Sequence, residues 1–187
     1  WVIRALNEDL PYDEFFRYQL AGDEYDELSD LDDHSVSAEL ATGYFRLGVW
    51  DDEPADRTQA KADQTADIVD TTAQLALGMT LGCARCHDHK YDAVSQKEFF
   101  SLYSFFDRVN EKGRIEYGET PAPFIVLDKE IVADELTFMH LPDSIEKVEL
   151  MVMKEEPNIR STYTLKRGVY DAPDQEVFPA TPKSVLA

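Results

Sequence analysis

Basic residues are scarce in this sequence. Its 187 residues include 18 lysines and arginines against 38 aspartates and glutamates, so the formal net charge is −20 at pH 7. Proteins that bind nucleic acids or anionic membranes do so through basic surfaces. The charge therefore argues against both kinds of partner. An acidic surface instead suits a saline environment or docking to a basic redox partner.

The acidic residues are concentrated near the start of the sequence. Between Glu8 and Asp33 the only basic residue is Arg17. The D-x-D-x-D-G order of an EF-hand calcium loop is absent from this segment. We interpret it as a solvated, self-repelling surface and not as a calcium site.

Long apolar runs are also absent, since no stretch approaches the roughly 18 apolar residues of a membrane helix. The sequence opens on Trp1, without the basic and apolar segments of a secretion signal. Its first residues, WVIRAL, are typical of the middle of a helix. We therefore expect the polypeptide to extend further toward its N-terminus, with any signal peptide removed or lying upstream.

Helical patterns dominate the first half of the sequence. Apolar spacing, Pro and Gly positions and a Ser-x-x-Glu capping box support these assignments. The predicted helices cover Trp1 to Asn7, Pro11 to Gly22 with Phe15, Phe16 and Leu20 buried, Ser35 to Thr42, Gln64 onward into the cysteines, and Ser95 to Gly113.

The pattern changes after Gly118. PFIVLD, ELTFMHL, KVELMVM and STYTL are short, β-branched or alternating segments separated by Pro and Asp, which is typical of strands. The last segment, APDQEVFPATPKSVLA, is predicted to be extended. We predict an α+β fold with two regions: helical residues 1–113 and strand-rich residues 114–187 with an extended tail.

Both cysteines of the chain lie in the stretch GCARCHDHKYD, residues 82–92. C-x-x-C-H is the attachment motif of a c-type haem. Two thiols one helical turn apart can form thioethers with the two vinyl groups of a porphyrin, and the adjacent imidazole can then bind the iron. Cys83, Cys86 and His87 would supply these three bonds, and the helical half would surround the haem.

Two other chemistries could use this cluster. Cys83, Cys86, His87 and His89 are four acceptable zinc ligands, although structural zinc sites usually join two distant ligand pairs. A thioredoxin-like C-x-x-C belongs at the start of a helix after a strand, whereas here it follows a helical pattern. A disulfide across three residues would close too small a loop to stabilise much. The spacing favours haem c over zinc.

The second axial ligand of the iron is not defined by the motif. The candidates, for this haem or a neighbouring one, are His34, Met79, His89 and His140. Two strong ligands would make an electron carrier, whereas an open position would permit small-molecule chemistry. We expect Phe99, Tyr103 and Phe106, on the most apolar predicted helix, to exclude water from the haem.

Longer segments around the motif resemble a known family. ATGYFRLGVWDDEPAD (41–56) and DIVDTTAQLALGMTLGCARCHDHKYDAVSQKEFFSLYSFF (67–106) are similar to a domain of unknown function in large secreted planctomycete proteins, which usually also carry a cytochrome c domain. Residues 1–23 resemble the family's preceding segment, and residues 151–187 resemble the start of its partner domain.

This resemblance implies export to the periplasm or beyond, haem c on Cys83, Cys86 and His87, and a chain that is part of a longer protein. The expected function is single-electron transfer, with other haem proteins or copies of the chain as partners. The alternatives are a haem-bearing part of a secreted oxidoreductase or a zinc-stapled interaction module. No Ser-His-Asp order, phosphate loop or carboxylate pair in the sequence supports an enzyme.

Overall fold

The computed structural model of the chain describes residues 1–24, 35–49, 51, 53–109, 120, 122–130, 142–183 and 185. They fall into two compact units. The first comprises Trp1–Leu47 and Ile115–Lys154, and the second comprises Gly48–Arg114 and Glu155–Ala187. Helices occupy the N-terminal half and two small antiparallel sheets follow, which confirms the α+β prediction. The division at residue 113 into a haem-binding and a strand-rich region stays a prediction.

The described residues at the start of the first unit form three short helices: α1 (Val2–Asn7), α2 (Tyr12–Ala21) and α3 (Ser35–Ala41), the last continuing into a 3-10 turn (Thr42–Arg46). All three were predicted. Tyr18 of α2 is buried against Ala38 and Ala41 of α3, and Trp1 packs against the same cluster. The prediction that α2 buries two phenylalanines and Leu20 was wrong, because these side chains are only half-buried.

The first unit also contains an antiparallel pair of strands, β1 (Phe124–Asp128) and β2 (Lys147–Met151). Both coincide with predicted strands. Just after β2, the backbone N–H of Met153 donates to the Thr42 hydroxyl over 2.9 Å, so this segment is joined to the 3-10 turn. The predicted strand ELTFMHL lies outside the described residues.

The longest helix of the second unit is α4 (Arg57–Leu77). It begins one residue after Asp56, whose carboxylate accepts the backbone N–H groups of Thr58 and Gln59. The predicted start at Gln64 was therefore about two turns late. The helix ends before the cysteines and does not run into them, because Gly78 takes a left-handed conformation with φ of 65°.

Helix α5 (Gln96–Phe106) has the predicted capping box: the Ser95 hydroxyl accepts the Glu98 N–H, and the Glu98 carboxylate accepts the Ser95 N–H. It ends at Phe106, earlier than predicted. An antiparallel pair, β3 (Thr162–Leu165) and β4 (Pro173–Val177), packs on α5. Strand β4 forms where only an extended tail was expected. Within the described ranges, no helix is long and apolar enough to cross a membrane.

Candidate functional site

The two cysteines lie on the cysteine loop, residues 82–94, which connects α4 to α5. Cys83 belongs to a 3-10 turn (Gly82–Arg85), and Cys86 follows it directly. The backbone N–H of Cys86 donates to the Cys83 carbonyl over 3.3 Å. The two cysteines are not joined by a disulfide, and both residues are exposed. The fold therefore places two exposed cysteines at and just after a single turn.

A carboxylate of α4 holds the start of this loop. Asp70 Oδ1 accepts the backbone N–H groups of Leu81 and Gly82 over 2.6 and 2.7 Å. Its Oδ2 accepts the Gln74 side-chain amide over 2.9 Å. The first N–H groups of a helical turn have no partner within the turn. Asp70 satisfies two of them and fixes the turn to α4.

The middle of the loop is held from both sides. Arg85, between the cysteines, pairs with Asp63 of α4 over 2.5 Å. Its carbonyl accepts the Gln96 side-chain amide over 2.9 Å, and the same nitrogen donates to the Leu165 carbonyl of β3 over 2.7 Å. The backbone between the two cysteines is thus connected to α4, α5 and β3.

His87 is exposed, and its ring is hydrogen-bonded to the backbone. Its Nδ1 lies 2.8 Å from the Asp88 carbonyl oxygen. A carbonyl can only accept, so Nδ1 carries a proton in this hydrogen bond. Metal-bound histidines commonly donate their second ring N–H in this way. A metal bound by His87 would therefore bind at Nε2.

His89 is used within the loop. Its side chain is only 7% exposed, and its Nδ1 accepts the Asp92 backbone N–H over 2.9 Å. The Asp92 carboxylate lies 3.2 Å from the same nitrogen, a geometry that favours a protonated Nδ1. We assign Nδ1 as the acceptor, because the backbone N–H contact is shorter and requires its lone pair. A role for His89 as an iron ligand stays a prediction.

Of the other candidate ligands, the structure describes only Met79. Met79 is half-buried directly after the Gly78 cap of α4. His34 and His140 lie outside the described residues, so their roles stay predictions.

The aromatic residues predicted to exclude water from a haem lie in the core of the second unit, and that role stays a prediction. Phe99, Tyr103 and Phe106 are buried, with Phe99 fully so. The Phe99 ring packs edge-on against Phe100 with centroids 5.2 Å apart. These three side chains are buried, whereas both cysteines are exposed.

The zinc alternative gains no support from the geometry. Among the described residues, which include all four proposed zinc ligands, no group of three or more His, Cys, Asp or Glu side chains is placed to hold a metal ion. The donor set does fit haem c: Cys83 and Cys86 would form the thioethers and His87 Nε2 would bind the iron. When bound, the haem would supply reversible one-electron chemistry.

Three residues that organise the site were not found from the sequence: Asp70, Gln96 and Gly168. Gly168 belongs to a 3-10 turn (Lys166–Gly168) after β3 and approaches the Cys86 sulfur closely. Asp70 and Gln96 lie outside the C-x-x-C-H motif, and Gly168 lies about 80 residues after it. A glycine following a predicted strand was the only available signal.

Comparisons with known proteins identify a family. No curated protein and no solved structure matches this chain. A family model described as PSCyt2, protein of unknown function (DUF1549), matches residues 1–111. The matched segment includes α1 to α5 and the whole cysteine loop. It covers more than half of the sequence, so the chain belongs to the PSCyt2 family.

Proposed function

We propose that this chain is an exported c-type cytochrome that carries single electrons through one covalently bound haem. Cys83 and Cys86 provide the thioethers, and His87 provides an iron ligand through Nε2. The observation that carries the proposal is the arrangement of the motif. Two exposed cysteines without a disulfide lie at and just after one turn, beside an imidazole whose Nδ1 is hydrogen-bonded to a carbonyl.

The placement of the site suits electron exchange with a partner. A covalent attachment retains the cofactor outside the cytoplasm, consistent with a periplasmic or extracellular location. Cys83, Cys86 and His87 are all exposed, so another haem protein or a second copy of the chain can approach the site. The net charge of −20 would favour a basic partner at low salt.

Haem attachment is tested by producing the chain in a bacterial periplasm with a c-type haem maturation system. We expect the wild-type chain to retain haem on a denaturing gel, because thioethers survive denaturation. Cys83→Ala with Cys86→Ala should abolish the signal, while Lys90→Gln, at an exposed position of the same loop, should retain it. A wild-type mass without added porphyrin would overturn the proposal.

The absorption spectrum of the loaded chain separates electron transfer from catalysis. A low-spin iron that does not react with carbon monoxide or peroxide is expected for a carrier with two protein ligands. An open, high-spin iron that reacts with peroxide would instead support the secreted-oxidoreductase alternative.

A further inference from the structure

We propose that the Lys166–Gly168 turn belongs to the haem-attachment site, with Gly168 and Gln96 acting as positioning residues for the Cys86 thiol. The purpose assigned to this arrangement rests on the proposed function. The arrangement itself is a property of the chain without haem and can be tested there.

Gly168 approaches Cys86 so closely that any side chain at position 168 would require the Cys86 sulfur to move. A Cβ atom at position 168 would lie 2.7 Å from Cys86 Sγ, 3.2 Å from the Arg85 carbonyl oxygen and 3.3 Å from Arg85 Cγ. Real Cβ atoms essentially never approach another heavy atom within 3.0 Å. Gly168 also has a φ of 71°, a left-handed conformation that glycine adopts at little cost. The backbone of the turn therefore covers one side of the Cys86 sulfur.

The turn is held against the loop by bonds on both sides of Gly168. Before it, the Leu165 carbonyl accepts the Gln96 amide, which also binds the Arg85 carbonyl. After it, the Tyr170 hydroxyl donates to the Asp56 carboxylate at the start of α4. With these bonds in place the turn cannot withdraw freely. An added side chain at 168 must then displace the Cys86 thiol.

Because of this turn, a reagent can approach the Cys86 sulfur only from the side that the turn leaves open. Its sulfur is covered by the turn on one side, while the residue as a whole is exposed. In thioether formation the Cys86 thiol adds across a vinyl double bond: sulfur bonds to one carbon and hydrogen goes to the other, so no oxidant or leaving group is needed. We infer that the turn aims the sulfur for this addition. The site thus uses residues beyond the family-matched segment 1–111.

The test measures alkylation of each cysteine in the haem-free, reduced chain, followed by peptide mass spectrometry. In Gly168→Ala, the Cys86 thiol must leave its covered position, so we expect it to react about fivefold faster. A fivefold ratio corresponds to roughly 1 kcal/mol, which is the usual cost of moving a side chain away from its preferred rotamer. Cys83 serves as the internal reference. Gly78→Ala is the matched control, because its φ is 65° but nothing lies within 4 Å of the added Cβ.

A second variant tests the two hydrogen bonds of the Gln96 side chain without changing any glycine. Gln96→Glu preserves the side-chain shape and places an acid in the first turn of α5, where helices favour it. The carboxylate cannot donate to the two carbonyls, so the turn should loosen and Cys86 alkylation should again accelerate. Lys97→Gln, at the next and exposed position, is the control, because it changes the net charge by the same amount, −1. Circular dichroism confirms that each variant is folded.

The outcomes separate this inference from the proposed function. If Cys86 is alkylated at the wild-type rate in both Gly168→Ala and Gln96→Glu, the positioning role is overturned, whether or not haem is attached. If Cys86 accelerates as expected but the wild-type chain never acquires haem, only the proposed function fails. In a loaded Gly168→Ala chain, we expect haem linked through Cys83 alone.

Discussion

At the scale of single residues, Asp70 holds the start of the cysteine loop with two short hydrogen bonds to backbone N–H groups. Asp70→Ala leaves both donors without their partner, and losing such a cap should cost about 2 kcal/mol in the free energy of unfolding. Urea unfolding measures this loss. Asp67→Ala, on the same helix and exposed, should change stability by less than about 0.5 kcal/mol. Equal effects of the two substitutions would contradict the capping role.

Tyr103 gives the second unit a dependence on alkaline pH. Burial, with a smaller contribution from the Asp107 carboxylate, raises the pKa of Tyr103 to about 12. An unfolded tyrosine ionises near pH 10, so both states keep the proton below that pH. As pH rises from about 10 to about 12, the unfolded state loses its proton first and stability falls, by at most about 1.4 kcal/mol per pH unit.

Tyr103→Phe should remove this part of the slope, and urea unfolding at several alkaline pH values measures it. The part due to Tyr170 remains, because its hydrogen bond to Asp56 also raises the pKa of Tyr170. Tyr91→Phe, at an exposed ring, is the control substitution. An unchanged slope in Tyr103→Phe would show that the buried phenol does not titrate with unfolding.

The motif residues could be predicted from the sequence, whereas the residues that hold them could not. Cys83, Cys86 and His87 are defined by local spacing. Asp70 contacts a residue 11 positions away, and Gln96 contacts Leu165 across 69 positions. Such contacts depend on how helices and strands pack, and a single sequence gives no direct signal of that packing.

At the scale of elements, the helix ends show the same limit. The start of α5 was predicted correctly because its capping box is written in four consecutive residues, Ser95 to Glu98. The start of α4 was missed because its first two turns are largely polar and carry no apolar periodicity, so only the cap residue Asp56 marks it. A helix start can therefore be predicted when all of its capping residues lie within one turn of sequence.

Helix α5 provides a matched pair of phenylalanines for testing the core. Phe99 is fully buried, whereas Phe105 on the same helix is 44% exposed. Phe99→Ala should lower the free energy of unfolding by about 3–5 kcal/mol, because it leaves a cavity between packed helices. Phe105→Ala should cost about 1 kcal/mol or less. Chemical denaturation measures both, and similar losses would place the core elsewhere.

At the scale of the whole molecule, the chain does not build its units in sequence order. Each unit combines an N-terminal segment with a later one, and the described residues of each form one small antiparallel sheet. The sequence indicated the helices and most of the strands, since these follow from periodicity and turn residues. It did not indicate which strands join which helices, because that depends on contacts between distant segments.

The net charge of −20 predicts how the whole molecule responds to salt. With 38 acidic and 18 basic residues, repulsion between like charges should destabilise the compact state. Raising sodium chloride from about 0.01 M to about 1 M shortens the Debye length from about 30 to about 3 Å. Exposed ion pairs such as Arg4–Glu8 contribute little that salt could remove. We therefore expect stability to rise by about 1 kcal/mol, or roughly 2–4 °C in Tm.

Thermal unfolding at a series of salt concentrations measures this response. Choline chloride at equal ionic strength is the control, because a bulky organic cation screens charge without entering a compact carboxylate site. Equal increases in both salts would identify screening as the cause. A larger increase with sodium chloride would instead indicate specific cation binding by the acidic surface. A Tm that falls with salt would mean that attractive ion pairs, and not repulsion, dominate the electrostatic free energy of the folded chain.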